Sequence, residues 1–160
     1  MSHTSSISAI KIVDINALKQ AVQDLNGMGI TVTLVENKKP VAYSHDQPGM
    51  SEVAPYCLEI KEATYDVGIY DIGAGQFEAR TDFYNGSVAA ALGADRNAMN
   101  AIDRSTAEGK AEMEYAQLGK LYQRYSINAT KNQAARQGGN IQEIVQADGS
   151  VQLVITGMAA

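Results

Sequence analysis

The side chains that could carry acid–base or nucleophilic chemistry are few and scattered in this 160-residue chain. It has one cysteine, Cys57, and two histidines, His3 and His45. Cys57 and His45 could act as nucleophile and base, but any chain of this length offers such a pair, so we interpret Cys57 as a small apolar residue beside a strand. Without a cysteine pair, a zinc site would need carboxylates for most of its ligands. We therefore predict no catalytic residues, no metal and no cofactor.

One glycine-rich segment partly matches the pattern of a nucleotide-binding turn. Gly73-Ala74-Gly75 follows a predicted strand, but it lacks the third glycine and the helix of a dinucleotide site, and another predicted strand comes next. We interpret it as a hairpin turn. Neither a phosphate-loop lysine pattern nor a nucleophile-elbow serine pattern occurs in the sequence.

A polar group is predicted on the sheet around Tyr65-Asp66-Val67-Gly68. Tyr65 and Asp66 lie on opposite faces of a strand because side chains alternate along it. In the functional interpretation, Tyr65, Asp66, Arg80 and Asp82 belong to a binding site on the sheet surface. In the structural interpretation, which we favour, Asp66 forms an ion pair across the hairpin with Arg80 or Lys61.

A basic stretch is predicted on a late helix around Gln123-Arg124-Tyr125. Lys120 and Arg124 are four residues apart and share a helix face, which Lys131 and Arg136 extend. Lys120, Arg124 and Tyr125 are therefore candidate binding residues for an acidic partner or a nucleotide phosphate. A solvated helix face is the alternative and the more common case.

The secondary structure follows from hydrophobic periodicity and predicts an α+β fold. Strands are predicted at 5–14, 30–35, 58–61 with 65–71 (one strand or two), 77–84, 141–145 and 151–155, and helices at 17–25, 87–92 and 97–136. The last helix is expected to bend or split at Gly109 or near Gly119. The order is β-α-β-β-β-α-α-β-β, which favours a small mixed or antiparallel sheet with helices packed mainly on one face.

Length and composition set the broad class. The chain is expected to form a single domain over 1–160, in which residues 37–55 are interpreted as a loop that could be an insertion. A net charge of −5 and a pI near 5.0 argue against nucleic-acid binding. The sequence has neither an apolar run of about 20 residues, as a membrane span requires, nor a secretory signal. One cysteine fits a reducing compartment, so a cytoplasmic protein is expected.

Short matches spread along the chain resemble one family. Met1-Ser2-His3, Tyr65-Asp66-Val67-Gly68, Gln123-Arg124-Tyr125 and Asp148-Gly149-Ser150 occur in the order seen in the hypothetical chloroplast reading frame thirty-five family of plastids, cyanobacteria and phages. The resemblance implies a location in the cytoplasm, the plastid stroma or, for a phage protein, the host cytoplasm. It implies no activity and no catalytic residue. The chain departs from the family at 82–85, where relatives carry a Trp-rich segment, and at 37–55.

These observations favour a non-enzymatic accessory or adaptor protein that binds another protein. The alternative is a protein that binds or sequesters a nucleotide-like anion between the sheet and the late helix, which requires Arg80, Arg124 and tyrosine side chains to converge. An enzyme of unrecognised type is a third hypothesis. A homo-oligomer is compatible with all three, since small sheet domains associate readily through edge strands.

Overall fold

The structure, a computed structural model, describes residues 4–43, 52–147 and 150–157, and the side chains in these ranges from Lys11 onwards. Seven strands and five α-helices occur in the described ranges, which confirms the α+β class. In chain order the elements are β1 (Thr4–Ile12), α1 (Ile15–Gly27), β2 (Val32–Lys38), β3 (Ala54–Ile60), β4 (Val67–Gly73), β5 (Gln76–Asp82), α2 (Ser87–Leu92), α3 (Arg96–Asn100), α4 (Ala107–Ala116), α5 (Gly119–Arg136), β6 (Asn140–Val145) and β7 (Val151–Thr156).

The main sheet contains five antiparallel strands in the order β1-β5-β4-β3-β2, and β6 and β7 form a separate hairpin. Helix α1 links β1 at one edge of the main sheet to β2 at the other. The region predicted as one strand or two at 58–71 is two strands, because the chain turns after β3, where the Ala63 N–H donates to the Ile60 carbonyl (3.1 Å). Five strands therefore precede α2, whereas the predicted order has four.

Helix α1 contains the predicted helix at 17–25 and extends it by two residues at each end. The Asp14 carboxylate caps it by accepting a hydrogen bond from the Ala17 N–H (3.0 Å). Its buried residues recur every three or four positions and so form one stripe along the helix, which faces the sheet. They are Ala17, Leu18, Ala21, Val22 and Leu25.

The predicted long helix at 97–136 is divided into α3, α4 and α5. One break falls immediately before Gly119, as expected. Gly109 instead lies inside α4, where a Cβ atom would sit 1.6 Å from the Asp103 carbonyl oxygen, so this glycine admits the preceding loop and does not end a helix. Helix α5 packs against α1 and does not protrude from the domain.

The main core lies between these helices and one face of the sheet. Its largest fully buried side chains come from α1, the central strands, α2 and α5. They include Leu18, Leu25, Leu58, Ile69, Leu92, Leu121 and Tyr122. Burial of this apolar face is the main contribution that holds the helices on the sheet.

Two tyrosines on α5 end in different polar environments. The Tyr125 hydroxyl accepts hydrogen bonds from the backbone N–H groups of Val13 (2.9 Å) and Asp14 (3.2 Å), where β1 passes into α1. The Tyr122 ring stacks on Tyr115 with a centroid distance of 4.9 Å, but its buried hydroxyl has no hydrogen-bond partner among the described residues. Tyr125 therefore fixes the start of α1, whereas the Tyr122 hydroxyl is a local cost to stability.

Replacing each tyrosine with phenylalanine should therefore have opposite effects on the free energy of unfolding. Tyr122→Phe removes an unpaired buried hydroxyl and should leave stability unchanged or raise it by about 1 kcal/mol. Tyr125→Phe leaves two backbone N–H groups without their acceptor and should lower stability by about 1–3 kcal/mol. Urea denaturation followed by circular dichroism measures both, and equal losses would contradict the assignment.

Candidate functional site

The two aspartates of the predicted polar site, Asp66 and Asp82, hold a chain segment against the sheet face that points away from α1 and α5. Both are buried, with 7% and 1% of their surface exposed. The Asp66 carboxylate accepts a hydrogen bond from the Val41 N–H (2.8 Å), and the Asp82 carboxylate accepts one from the Tyr43 N–H (2.9 Å). Residues 39–43, which we call the strap, are thereby fixed across the sheet. The predicted loop at 37–55 is shorter than expected, because residues 37–38 belong to β2 and residues 54–55 to β3, and residues 44–51 lie outside the described residues.

The ion pair of Asp66 differs from both pairs predicted. Its partner is Lys38, whose ammonium lies 3.0 Å from the Asp66 carboxylate and also contacts Glu59. The hydrogen bonds that this ammonium donates to Glu59 and then to Asp66 raise the pKa of Lys38. Lys38 reaches this face because Asn37 has a φ of 53°, which interrupts the alternation of side chains along β2. That backbone conformation could not be read from the sequence.

The two cations expected to pair with Asp66 have other environments. Arg80 lies with its guanidinium carbon 4.6 Å from the centroid of the Tyr70 ring, and its Nε donates to Glu78 (2.8 Å). Lys61 is exposed and forms no ion pair with a described residue. Arg80, like Asp66, therefore serves contacts within the chain.

Cys57 lies on the same face and is fully buried. Burial, followed by the neighbouring Asp66 carboxylate, raises the pKa of its thiol to about 12. The thiol is protonated at neutral pH, which disfavours a nucleophilic role. No group of three metal-ligating side chains occurs within residues 4–43, 52–147 and 150–157, and His3 and His45 fall outside these ranges.

Gly68 lets the strap approach the sheet closely. A Cβ atom at this position would lie 2.5 Å from Cε2 of Tyr70 and 2.8 Å from Cγ of Pro40, which belongs to the strap. Both distances are shorter than van der Waals contact. Glycine in the Tyr-Asp-Val-Gly segment therefore has a packing role.

On α5, Arg124 is also used within the chain. Its Nε lies 2.9 Å from the Asp24 carboxylate on α1, and Nη1 and Nη2 each lie 3.2 Å from the Glu143 carboxylate on β6. Lys131 contacts Glu143 as well. Only 14% of the Arg124 side chain is exposed. This ion-pair network joins α1, α5 and the hairpin.

The seven predicted binding residues thus separate into four places. Asp66, Arg80 and Asp82 lie on the strap side of the sheet, Tyr65 and Tyr125 are in the main core, Arg124 is in the ion-pair network, and Lys120 faces an open groove. Arg80 and Arg124 do not converge. Among the seven, Lys120 is the residue that lines the groove.

This groove lies between α2, α3 and α4 on one side and α5 and β7 on the other. It has a volume of about 1390 Å³. Its apolar wall includes Met99, Ile102, Ile127, Val151 and Leu153. The wall is therefore formed by parts of the chain that are distant in sequence.

Close contacts between small residues fix the inner end of the groove. The Ala94 N–H donates to the Ala116 carbonyl (2.7 Å). A Cβ atom at Gly119 would lie 3.0 Å from the Ala94 Cβ, so the chain segments meet here almost backbone to backbone. The groove consequently has a defined shape at the point where α5 begins.

The charges along the groove are mixed, with an excess of cations. Arg96, Arg104 and Lys120 line it together with the carboxylates of Asp95 and Glu112. Asp95 caps α3 by accepting from a backbone N–H (2.8 Å), whereas Arg96 and Lys120 form no ion pair with a described residue. On a chain of net charge −5, the groove is therefore locally positive.

A smaller cavity of about 470 Å³ lies between the start of α1 and the end of α5. Its cations are Lys19 and Arg136, but Arg136 lies 3.3 Å from the Asp14 carboxylate. The same carboxylate caps α1 and so occupies the position that an anion would take at a helix N-terminus. This cavity is a poor anion site.

Lys120 is the groove residue that the sequence analysis singled out as a binding candidate. The apolar stripe at 97–136 changes phase between Ala116 and Leu118, whereas Ile102 and Met113 are eleven residues apart and would share one face of a continuous helix. This change of phase marks the break between α4 and α5. It does not reveal the groove, whose wall combines residues from separate helices and from β7.

Comparison with known proteins supplies no relative, since no protein-family model, curated protein or solved structure matches this chain. Among the described residues, no helix is both long and apolar enough to cross a bilayer. Function is consequently argued from the geometry of this chain.

Gly68→Ala should loosen the strap. The added methyl group requires Tyr70 or Pro40 to move, at a cost of about 1–3 kcal/mol. Since Cys57 is the one cysteine of the chain, a thiol reagent added to the native protein reports its exposure. We expect labelling to become roughly tenfold faster or more. Gly27→Ala is the matched control, because no atom lies within 4 Å of its added Cβ; equal rates for both variants would contradict the role of Gly68.

The ion-pair network should make stability depend on acid pH through Glu143. Hydrogen bonds from Arg124 and then Lys131 lower the pKa of this carboxyl below its ordinary value of 4.5. Its contribution is therefore complete above pH 4.5 and is lost as pH falls through the lowered pKa of the folded state. Urea denaturation at several pH values should show a shallower acid loss for Glu143→Gln than for the original chain. The control is Glu36→Gln, which alters an exposed carboxylate, and a matching profile for both variants would exclude this role.

Proposed function

We propose that this protein is a non-enzymatic adaptor that binds an acidic, amphipathic segment of a partner protein in the groove between α2–α4, α5 and β7. The observation that carries the proposal is one open groove on an acidic chain that combines an apolar wall with two cations, Arg96 and Lys120, that form no ion pair with a described residue. Apolar contact supplies binding free energy, and complementary charge supplies orientation and specificity.

The size of the groove favours a polypeptide over a small ligand. Its volume of about 1390 Å³ exceeds the roughly 300–1,000 Å³ of typical small-molecule pockets. Small-ligand sites also present a few convergent polar groups, whereas Arg96 and Lys120 belong to separate helices along an open surface. A short helix or an extended peptide matches this shape better.

The residue types indicate how a segment would bind. Its apolar side chains would pack against Met99, Ile127 and Leu153, and its carboxylates would lie near Arg96 and Lys120. The tyrosine in the groove, Tyr115, stacks on Tyr122 and is therefore held in one orientation before binding. A preorganised aromatic ring is a frequent anchor of protein interfaces.

The alternative function, binding of a nucleotide-like anion, has less support. It requires Arg80 and Arg124 to face one site, but each is engaged with carboxylates on a different side of the molecule. The family resemblance does not separate the two functions, since it implies no activity. The family resemblance stays a prediction, and so does the expected compartment.

The experiment is affinity capture from host lysate with the tagged full chain, followed by mass spectrometry of proteins and small molecules. Lys120→Glu and Ala90→Glu place negative charge in the groove, and Lys110→Glu and Ala111→Glu place it on exposed positions of α4 outside the groove. We expect a stoichiometric protein that the two control variants retain and the two groove variants lose. Reversing one rim charge should weaken capture about tenfold or more.

Other outcomes would overturn the proposal. A protein partner that is retained equally by all four variants would place the interface elsewhere. A small molecule recovered without a protein partner would favour the anion-binding alternative. Thermal unfolding of each variant shows whether a loss of capture follows from a loss of folding.

A further inference from the structure

The β6–β7 hairpin is a two-stranded sheet that pairs with no other described strand. It is held on the domain mainly through β6, whose Glu143 joins the ion-pair network on α5. Two-stranded sheets are marginal on their own, and further strands stabilise them. The outer edge of β7 is therefore a free strand edge next to the groove, and this observation is independent of the proposed function.

The register of the hairpin shows which backbone groups face outward. The Gln146 N–H donates to the Ser150 carbonyl (2.8 Å), so this opposed pair is a hydrogen-bonded one. Hydrogen-bonded and non-hydrogen-bonded pairs alternate along an antiparallel ladder. Val151, Leu153 and Ile155 belong to non-hydrogen-bonded pairs, so their N–H and C=O groups point away from β6.

The edge of β7 has none of the features that normally prevent strands from pairing. The six residues of Val151–Thr156 include no charge, no proline and no glycine, and their register with β6 is regular. Natural edge strands usually carry a lysine, a proline or a bulge that blocks pairing. By comparison, the corresponding outward row of β6 contains the charged Glu143.

We propose that β7 pairs with β7 of a second copy of this chain, antiparallel about a two-fold axis at Leu153, to form a continuous four-stranded sheet. In this register Leu153 lies opposite Leu153 of the second copy, and Val151 lies opposite Ile155. Both of these pairs are apolar, which stabilises neighbouring strands, and Gln152 lies opposite Val154 between them. The contact is self-complementary, as a two-fold interface requires.

Charge favours a second copy at this edge. Two chains of net charge −5 repel each other over most of their surfaces. β7 is uncharged, so pairing through it brings no like charges into register. Apolar side chains are also exposed on the hairpin: Ile155 of β7 is 44% exposed and Ile144 of β6 is 39% exposed.

Sedimentation velocity over a range of protein concentrations tests the proposal. Ile155→Lys adds a charge to the β7 edge, and Ile155→Pro removes an outward N–H that the hairpin does not use. Val145→Lys is the matched control, because Val145 has the equivalent outward position on the β6 edge and is 72% exposed. We expect dimers for the original chain and for Val145→Lys, and monomers for both Ile155 variants. An original chain that stays monomeric at all concentrations, or an Ile155 variant that dimerises normally, would overturn the proposed pairing of β7 with β7.

A cross-link tests the register directly. In the proposed dimer the two Leu153 residues form a hydrogen-bonded pair with Cα atoms about 5.5 Å apart, which is within the range of a disulfide. Leu153→Cys in a Cys57→Ala background should give a covalent dimer when copper–phenanthroline oxidises the two thiols. Val145→Cys in the same background should still dimerise but should form no covalent cross-link. Circular dichroism confirms folding, and a folded Leu153→Cys variant that does not cross-link would exclude this pairing.

Discussion

The guanidinium of Arg124 occupies the point where α1, α5 and β6 meet, and the way these three elements are joined depends on it. It contacts carboxylates from two elements that are far apart in the chain, Asp24 and Glu143, and Asn128 adds a further hydrogen bond to Asp24 (2.8 Å). Removing one member of such a partly buried network leaves the others without compensation, which costs more than the pair itself contributes. Because β7 pairs with β6, this network also sets the position of β7, which forms one wall of the groove.

The opposite face of the sheet shows why a cluster of charged residues need not be a binding site. Asp66 and Asp82 are buried because a covering segment supplies the hydrogen bonds that each carboxylate loses from water. Asp82 also accepts from the Tyr84 N–H (2.9 Å), so one carboxylate holds the backbones of two residues whose rings contact each other, Tyr43 and Tyr84. The cluster therefore positions backbone and aromatic side chains.

Local patterns predicted much of the fold. Helix α1, the turn between β4 and β5 and the strands of the last hairpin all depend on residues close in sequence, and residues 148–149, which connect these two strands, lie outside the described residues. The partner of Asp66 was not predictable, since it depends on the left-handed conformation of Asn37. The groove was not predictable either, because its wall combines Met99 with Leu153, and only tertiary packing brings these residues to one surface. Sequence periodicity gives which face of an element is buried but not which element covers it.

The connection from β1 to β2 by α1 has a consequence for how the chain folds during synthesis. Strands β2 to β5 form a meander of neighbours in sequence, so they can pair as soon as they leave the ribosome. β1 is made before these strands, yet its sheet partner is β5, and Tyr125 of α5 binds the residues that follow it. β1 therefore stays without its sheet partner until β5, which ends at Asp82, has been translated, and Tyr125 follows later still. Its contacts are non-local, so docking of β1 is the step that we expect to be slow and most dependent on protection by a chaperone.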